Sequence, residues 1–323
     1  MLCAVPLLRA LRTMYPKAYI SLVTSPVNYE IMRYHPYLNE VLNYDKISFF
    51  KTLMGYWRFY RNIRSKHYDL AIVPATVSLS ITSSMIALLS GAPQRIGPGR
   101  LQGKENPASA CFTTPVELDW RDEPRRHQSL RNLDLLKPFE ISTGDLSCVI
   151  GLIAEERKQA GAFLDSLRKN YKILIGLHPG AGKVENRWPA QHFASIANQM
   201  YNNFNAGVIV TAGPMDGVPL AVMRQHLQCP YIVIDRQPLR QVAAIIDQLD
   251  LFITNDTGIM HVAGATRANV LALFGPTDPL QWAPIGAKNR YVSAKDRDLN
   301  NLSEDEVSQV IEVILSKVNS EHT

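Results

Sequence analysis

The chain has 323 residues and a net charge of +5, and 46% of its residues are hydrophobic and 20% charged. This balance excludes a disordered chain, and the length predicts two domains of ordinary size. The mild positive charge is compatible with an anionic ligand or surface and does not require nucleic acid. The four cysteines are scattered, with no Cys-x-x-Cys pair. The sequence therefore predicts no metal site and no disulfide framework.

One long uncharged stretch, Leu70 to Gln94, raises the question of a membrane span. Its many serine and threonine residues make it too polar for a transmembrane helix. We interpret it as a buried strand at 70–73, a loop of small residues and a buried helix at about 80–89. The opening segment lacks the basic region of a signal peptide, so we expect a cytoplasmic protein.

In the first 150 residues, short apolar runs alternate with helical patterns. Strands are predicted at 19–24, 40–44 and 70–73, and helices at 27–35, 47–66, 80–89 and 126–139. Strands separated by helices favour right-handed βαβ units and a parallel sheet.

The same alternation restarts after a polar patch at 141–146. Strands are predicted at 172–177, 207–211, 231–234, 251–254 and 270–274, and helices at 154–168, 190–201 and 303–318. The predicted fold class is therefore α/β, with two doubly wound domains, 1–150 and 151–323, facing a cleft. Ligands of such domains bind at the carboxyl ends of the strands.

The most informative stretch is the predicted strand, turn and helix from Leu251 to Ala265. Its polar turn, Asn255 to Gly258, leaves backbone N–H groups at the start of a helix, where they and the helix dipole attract an anion such as a diphosphate. Gly258 permits close approach of a ligand to the backbone. The alternative is that Asp256 or Thr257 only caps the helix. These residues alone leave both interpretations open.

The common nucleotide-binding and hydrolase motifs are missing from the sequence. It contains no GxxxxGK[ST], no GxGxxG after a strand and no GxSxG. Its glycines instead follow several strand ends of the second half, at Gly180, Gly182, Gly213, Gly258 and Gly275. Several glycine turns facing one cleft suit a nucleotide sugar, because its base, ribose and diphosphate contact different strands.

Four segments of the second half resemble one known family. They are His178-Pro-Gly-Ala181, Asn186-Arg-Trp-Pro189 with Phe193, Asn255-Asp-Thr-Gly-Ile-Met-His261 and Leu273-Phe-Gly-Pro-Thr-Asp-Pro279. In order, spacing and residue type they resemble the ADP-heptose:lipopolysaccharide heptosyltransferases, glycosyltransferase family nine. Segments 6–16, 68–71 and 94–97 agree more loosely, so the resemblance covers nearly the whole chain.

The resemblance implies a GT-B fold with two Rossmann-like domains, the first binding the acceptor and the second the nucleotide sugar. It also implies metal-independent, inverting transfer of a heptose from ADP-heptose to the lipid A–Kdo inner core of lipopolysaccharide. No cofactor is expected. Such an enzyme would work from the cytoplasm, in peripheral contact with the inner membrane. Alternatives are a GT-B transferase that uses another sugar nucleotide, and a truncated, impaired nucleotide-sugar-binding protein.

The resemblance places the donor site on Asp256, Thr257, Gly258 and His261. The N–H groups of Thr257 and Gly258 would hold the diphosphate, and His261 would face the same pocket unless it is a packing residue. Further donor contacts are expected in the strand-end loops, at Gly180, Ala181, Gly182 and Gly213, with Pro214, Thr277 and Asp278 close by. Gly213, Pro214, Thr277 and Asp278 are equally compatible with plain turn chemistry.

Three positions depart from the family pattern. Asn186 stands where the family has a lysine that neutralises the leaving diphosphate, so Lys183 or Arg187 would take over that role; either could also be a solvated surface charge. The family has an acidic residue that contacts the ribose, and its alignment with Asp216 of this chain is uncertain. The presumed general base, an aspartate in a Gly-Asp turn after an opening strand, would precede Met1, so the catalytic base stays unassigned. We expect a start placed too late rather than a truncated chain.

The predicted helix at 47–66 carries a basic face without carboxylates. Lys51, Arg58 and Arg61 fall within an arc of about 80°, away from an aromatic stripe. One hypothesis is that this helix binds the phosphates and carboxylates of a lipid core at the membrane surface. The alternative is an ordinary surface helix with a solvated basic face.

Overall fold

The computed structural model describes residues 1–45 and 53–321. The chain packs as two compact units. The first comprises Met1, Cys3–Tyr29 and Tyr37–Leu146, and the second comprises Leu2, Glu30–Pro36 and Ser147–Thr323. None of the helices in these described ranges is long and apolar enough to cross a membrane.

Strands and helices alternate up to Gln94 as the apolar runs predict, and three strands then follow between Gln94 and Leu118 with no α-helix between them. The helices are α1 (Val5–Met14), α2 (Pro26–Met32), α3 (Leu53–Arg64), α4 (Ile81–Leu89) and α5 (Gln128–Asp134). The strands are β1 (Ser21–Thr24), β2 (Glu40–Asn43), β3 (Leu70–Ile72), β4 (Gln94–Leu101), β5 (Lys104–Glu105) and β6 (Thr114–Leu118). Within the described ranges they form two sheets: β1 pairs with β2 in parallel, and β4 pairs with β3 and β6 in parallel and with β5 antiparallel.

Several predictions for this half need correction. Strands β4, β5 and β6 were not predicted, because β4 carries Pro98 and two glycines at a register shift and lacks an apolar run. The helix predicted at 126–139 is only α5 followed by a 3-10 turn at Lys137–Phe139. The helix at about 80–89 is present, but only one face of it is buried, at Ser84 and Ala87, while Ile81 and Met85 are exposed. Of the helix predicted at 47–66, the residues before Leu53, including Lys51, lie outside the described ranges.

The second half is one parallel α/β sheet flanked by helices. Its strands are β7 (Ile173–His178), β8 (Ala206–Ala212), β9 (Tyr231–Asp235), β10 (Leu251–Asn255), β11 (Asn269–Phe274) and β12 (Asn289–Ser293). Its helices are α6 (Ala154–Asn170), α7 (Ala190–Phe204), α8 (Gly217–His226), α9 (Leu239–Ile246), α10 (Gly258–Gly264), α11 (Pro279–Trp282) and α12 (Glu304–Glu321). The strand order is β12-β11-β10-β7-β8-β9, with every pairing parallel.

The five strands predicted here are confirmed, and β12 is an additional edge strand. Its sequence, Asn-Arg-Tyr-Val-Ser, is polar and partly exposed, so no apolar run marks it. The central strands β7, β8 and β10 are buried at every position, as expected for a parallel sheet covered on both faces. This rigid core places the carboxyl ends of β10, β7 and β8 side by side.

Candidate functional site

Three strand ends of the second unit meet at one sheet edge. β10 ends at Asn255, β7 at His178 and β8 at Ala212, and these strands are neighbours in the order β10-β7-β8. Every glycine loop predicted for the donor site follows one of these three ends. The structure therefore brings together the loops after 178, after 212 and after 255, all within one unit.

Asn255 connects two of these loops. Its side chain is fully buried, and Nδ2 donates to the carbonyl oxygens of Pro179 at 3.0 Å and Gly180 at 3.2 Å. Its Oδ1 accepts a hydrogen bond of 2.9 Å from the backbone N–H of Trp188. One amide thus fixes the loop after β7 against the end of β10. Sequence reasoning identified Asn255 only as part of a turn, because nothing local indicates its distant partners.

The turn before α10 leaves room for a ligand. Thr257 is the N-cap residue, with extended backbone, and its side chain makes no capping hydrogen bond. Gly258, the first residue of α10, is exposed, and a Cβ atom added there would meet no atom within 4 Å. The same is true of Gly182. The two glycines therefore leave open space at their Cα atoms, as close backbone approach requires.

Asp256 interacts with polar groups of two other loops. Asn186 donates through Nδ2 to the Asp256 carbonyl oxygen at 3.4 Å and to its carboxylate Oδ2 at 3.3 Å. Burial raises the pKa of the Asp256 carboxyl, while a hydrogen bond with Thr277 and the positive charge of Lys183 oppose that rise. The positive charge of Lys183 therefore acts on the Asp256 turn.

Arg187 lies along the loop after β7. Its Nε donates to the carbonyl oxygen of Ala181 at 2.8 Å. It also lines a cavity of about 490 Å³ together with Val184, Glu185 and Val218, and that lining contains none of Asp256, Thr257, Gly258 and His261. Lys183 and Arg187, the two cations considered for one role, thus have different surroundings.

Asp216 ties the loop after β8 to the loop after β7. Its Oδ2 accepts a hydrogen bond of 2.7 Å from the N–H of Gly213 and lies 3.5 Å from Nε2 of His178. The His178 Nδ1 is 3.0 Å from Oγ1 of Thr211. Burial lowers the pKa of His178 although the charge of Asp216 opposes this, so the imidazole is neutral near pH 7. Asp216, the carboxylate of uncertain alignment, is buried and engaged within the protein.

The remaining predicted donor residues lie around α10 and α11. His261 is half-buried on α10, and its ring is 6.5 Å, edge to face, from that of Trp282 on α11. Asp278 is the N-cap of α11 and accepts from the N–H of Leu280 at 3.0 Å, which is the turn chemistry considered for it. Thr277 instead faces Asp256.

The predicted acceptor residues belong to the first unit. Arg58 and Arg61 are exposed on α3, and the Arg61 guanidinium lies 4.9 Å from the centre of the Trp57 ring. Lys51 lies outside the described residues. Neither arginine forms an ion pair with a carboxylate in the described parts of the chain.

Solved structures show which class of protein has this fold. The crystal structure of the glycosyl transferase family 9 from Veillonella parvula is 24% identical, with a TM-score of 0.86 over 98% of this chain and 93% of that one. The structure of E. coli ADP-heptose lps heptosyltransferase II is 21% identical, with a TM-score of 0.80 over 99% and 96%. The fold is therefore the α/β GT-B fold of glycosyltransferases.

The sequence identifies the family within that class. The profile of glycosyltransferase family 9 (heptosyltransferase) matches residues 56–311, and the chain belongs to this family of transferases. It is similar to lipopolysaccharide core heptosyltransferase OpsX of Haemophilus influenzae, with 22% identity over 91% of this chain and 81% of the relative. It is also similar to lipopolysaccharide heptosyltransferase 2 of Salmonella typhimurium, with 26% identity over 90% and 84%.

Proposed function

We propose that this protein transfers a heptose from ADP-heptose to the inner core of lipopolysaccharide, with a lipid A–Kdo acceptor. The observation that carries the proposal is the convergence of the Asp256–Gly258 turn, the Gly180–Gly182 loop and Lys183 at one sheet edge of a family 9 transferase. The names of relatives that act on lipopolysaccharide support the acceptor class.

The donor diphosphate binds at the turn before α10. The backbone N–H groups of Thr257 and Gly258 donate to it, and Gly258 leaves space for close approach. Lys183 offsets the negative charge that grows on the departing diphosphate.

The transfer inverts the anomeric centre. An acceptor hydroxyl oxygen forms the new bond to the anomeric carbon on the face opposite ADP, and the carbon–oxygen bond to the diphosphate breaks. The hydroxyl proton passes to a general base that is not assigned to a described residue. Arg58 and Arg61, with Lys51, bind the phosphates and carboxylates of the acceptor. The first unit is the acceptor-binding domain in this proposal.

Calorimetry with ADP, UDP and GDP, followed by a transfer assay, tests the donor. We expect ADP to bind at least about tenfold more tightly than UDP or GDP, and Lys183→Gln to weaken ADP binding about tenfold, the worth of one charged hydrogen bond. Lys172→Gln removes an exposed lysine at the start of β7 and serves as the matched control.

The outcomes separate the alternatives. Tighter binding of UDP or GDP would indicate another sugar nucleotide. Binding of ADP-heptose without transfer to a lipid A–Kdo acceptor would indicate a nucleotide-sugar-binding protein without the activity. An absence of ADP binding in the folded protein would remove the donor assignment itself.

A further inference from the structure

The first unit exposes large apolar side chains on two helices. On α3, Met54 is 69% exposed and Trp57 60%. On α4, Ile81 is 58% exposed, and Met85 and Leu88 are exposed as well. Exposed apolar side chains that lie together mark an interaction site, whereas single scattered ones are normal on a protein surface.

On each helix these side chains share one face. Positions 54, 57, 58 and 61 follow the i, i+3, i+4, i+7 pattern, so Met54 and Trp57 lie on the same side of α3 as Arg58 and Arg61. Ile81, Met85 and Leu88 follow the i, i+4, i+7 pattern on α4. Both outward stripes are continuous over about two helical turns.

The inner side of α3 is already anchored to the protein. Ile63 is buried, and the ring of Phe59 packs 5.2 Å from that of Tyr44. The outer residues Met54 and Trp57 therefore cannot turn into the core without breaking these contacts. The guanidinium of Arg64, at the end of α3, lies beside Gly91, just after α4, so the C-terminal ends of the two helices are close to each other.

The charged side chains on the outward faces of α3 and α4 are all positive. Neither α3 nor α4 contains a carboxylate, and α3 contributes Arg58 and Arg61, which form no ion pair in the described residues. Arg61 stacks on the Trp57 ring, which keeps the cation beside the aromatic side chain. Tryptophan, aliphatic side chains and unpaired arginines together are the composition of helices that lie in the headgroup region of an anionic membrane.

We propose that Met54, Trp57, Ile81, Met85 and Leu88, with Arg58 and Arg61, form a docking face for an anionic lipid bilayer. The apolar side chains enter the boundary between headgroups and acyl chains, and the two guanidiniums bind phosphates at the bilayer surface, those of bilayer lipids as well as those of a lipid-linked acceptor. The inference extends the proposed function, on which its biological meaning rests, because a lipid-linked acceptor lies in such a bilayer. The binding itself requires no sugar.

Sedimentation of the full chain with vesicles that contain no saccharide tests the docking face. We expect binding to phosphatidylcholine vesicles that contain about 30% phosphatidylglycerol, and at least about tenfold weaker binding to pure phosphatidylcholine. Arg58→Gln with Arg61→Gln should weaken binding about tenfold, as should Met54→Ser with Trp57→Ser. Ile81→Ser with Leu88→Ser tests α4 separately.

Matched controls lie on the second unit. Lys169→Gln with Arg224→Gln removes two exposed charges, and Phe163→Ser with Val313→Ser removes two exposed apolar side chains. Both control proteins should bind vesicles as the parent does. Circular dichroism and thermal melting of each variant separate loss of binding from loss of folding.

Three results would overturn the proposal: no vesicle binding by the parent, equal binding to neutral and anionic vesicles, or equal losses in the control variants. Vesicle binding that appears only when a lipid-linked saccharide is included would assign the face to the sugar rather than to the bilayer. Calorimetry with ADP in the absence of vesicles reports on the donor site alone, so a failure there is distinguishable from a failure of docking.

Discussion

Glycine is required at position 180 because of a contact with a residue that is distant in the sequence. A Cβ atom at this position would overlap the carboxylate of Asp216. That carboxylate cannot swing away freely, because it is buried and accepts the N–H of Gly213. Glycine at position 180 therefore lets the loops after β7 and β8 approach each other, in addition to any approach of a ligand.

Gly180→Ala tests this contact. We expect a loss of about 1–3 kcal/mol in the free energy of unfolding, the usual cost of an overpacked site, together with weaker ADP binding. Urea denaturation and calorimetry measure the two effects. Gly217→Ala, where a Cβ atom meets nothing within 4 Å, should leave stability within about 0.5 kcal/mol. Equal stability of Gly180→Ala and the parent would show that Asp216 does not press on this loop.

At the scale of elements, the site depends on how strand ends are joined. β10 pairs with β7 through backbone hydrogen bonds, but that ladder stops at Thr254 and His178. Beyond it the Asn255 side chain continues the connection to Pro179, Gly180 and Trp188. The rigid sheet thereby extends into the loop that carries Gly182 and Lys183.

Asn255→Ala should loosen this extension. The substitution leaves the N–H of Trp188 and two carbonyl groups without their partner, and each buried unpaired group costs about 1–3 kcal/mol. We expect a loss of about 3 kcal/mol or more in the free energy of unfolding, measured by urea denaturation. The matched control is Asn170→Ala, whose amide bonds only to its own helix at the surface. A loss below about 1 kcal/mol for Asn255→Ala would mean that water replaces the amide.

At the scale of the whole molecule, the second unit consists of three separate stretches of the chain: Leu2, the segment Glu30–Pro36 and everything from Ser147 onwards. Arg240 on α9 holds the segment Glu30–Pro36 in place. Its buried guanidinium donates to the carbonyl oxygens of Glu30 at 3.1 Å and Arg33 at 2.8 Å. Two further bonds of 2.6 Å reach the carboxylate of Glu156. The ion pair between Arg240 and Glu156 therefore joins two residues that are far apart in the sequence.

The Arg240–Glu156 pair predicts a pH dependence of stability. Burial alone would raise the pKa of Glu156, but hydrogen bonds from Arg240 and the Ile153 N–H outweigh it, so the pKa lies below its usual 4.5. A carboxyl whose pKa is lower in the folded than in the unfolded protein stabilises the fold. This contribution is complete when the pH is above the pKa of the unfolded state, and it is lost as the pH falls through the pKa of the folded state. Glu156→Gln should therefore cost about 3 kcal/mol at pH about 7, and the difference should shrink below pH about 4.

Urea denaturation at several pH values measures this dependence. The neighbouring Glu155→Gln removes an exposed carboxylate that bonds only to Gln159, so its effect should stay small at every pH. A Glu156→Gln deficit that does not change between neutral and acidic pH would show that the charge of Glu156 is not what stabilises the pair.

The sequence by itself determined the alternation of strands and helices, the buried central strands and the glycine-rich strand ends. These features follow from the local periodicity of hydrophobic residues and from the backbone flexibility of glycine. Both depend only on residues that are close together in the sequence. The family resemblance, which rests on four motifs, predicted the fold and the class of enzyme. Strands β4, β5, β6 and β12 were missed because they lack a continuous apolar run: β4 carries Pro98 and two glycines, and the edge strand β12 is polar.

Only the tertiary structure decided how the loops are held and which faces stay exposed. The partners of Asn255 and Arg240 lie many residues away in the chain, so no local pattern indicates them. The structure also placed Lys183 near Asp256, and Arg187 in the lining of a cavity that includes neither Lys183 nor Asp256, although the two cations are close in sequence. Whether an apolar helix such as α4 is buried depends on what packs over it, and the periodicity of its sequence shows only that it has an apolar face.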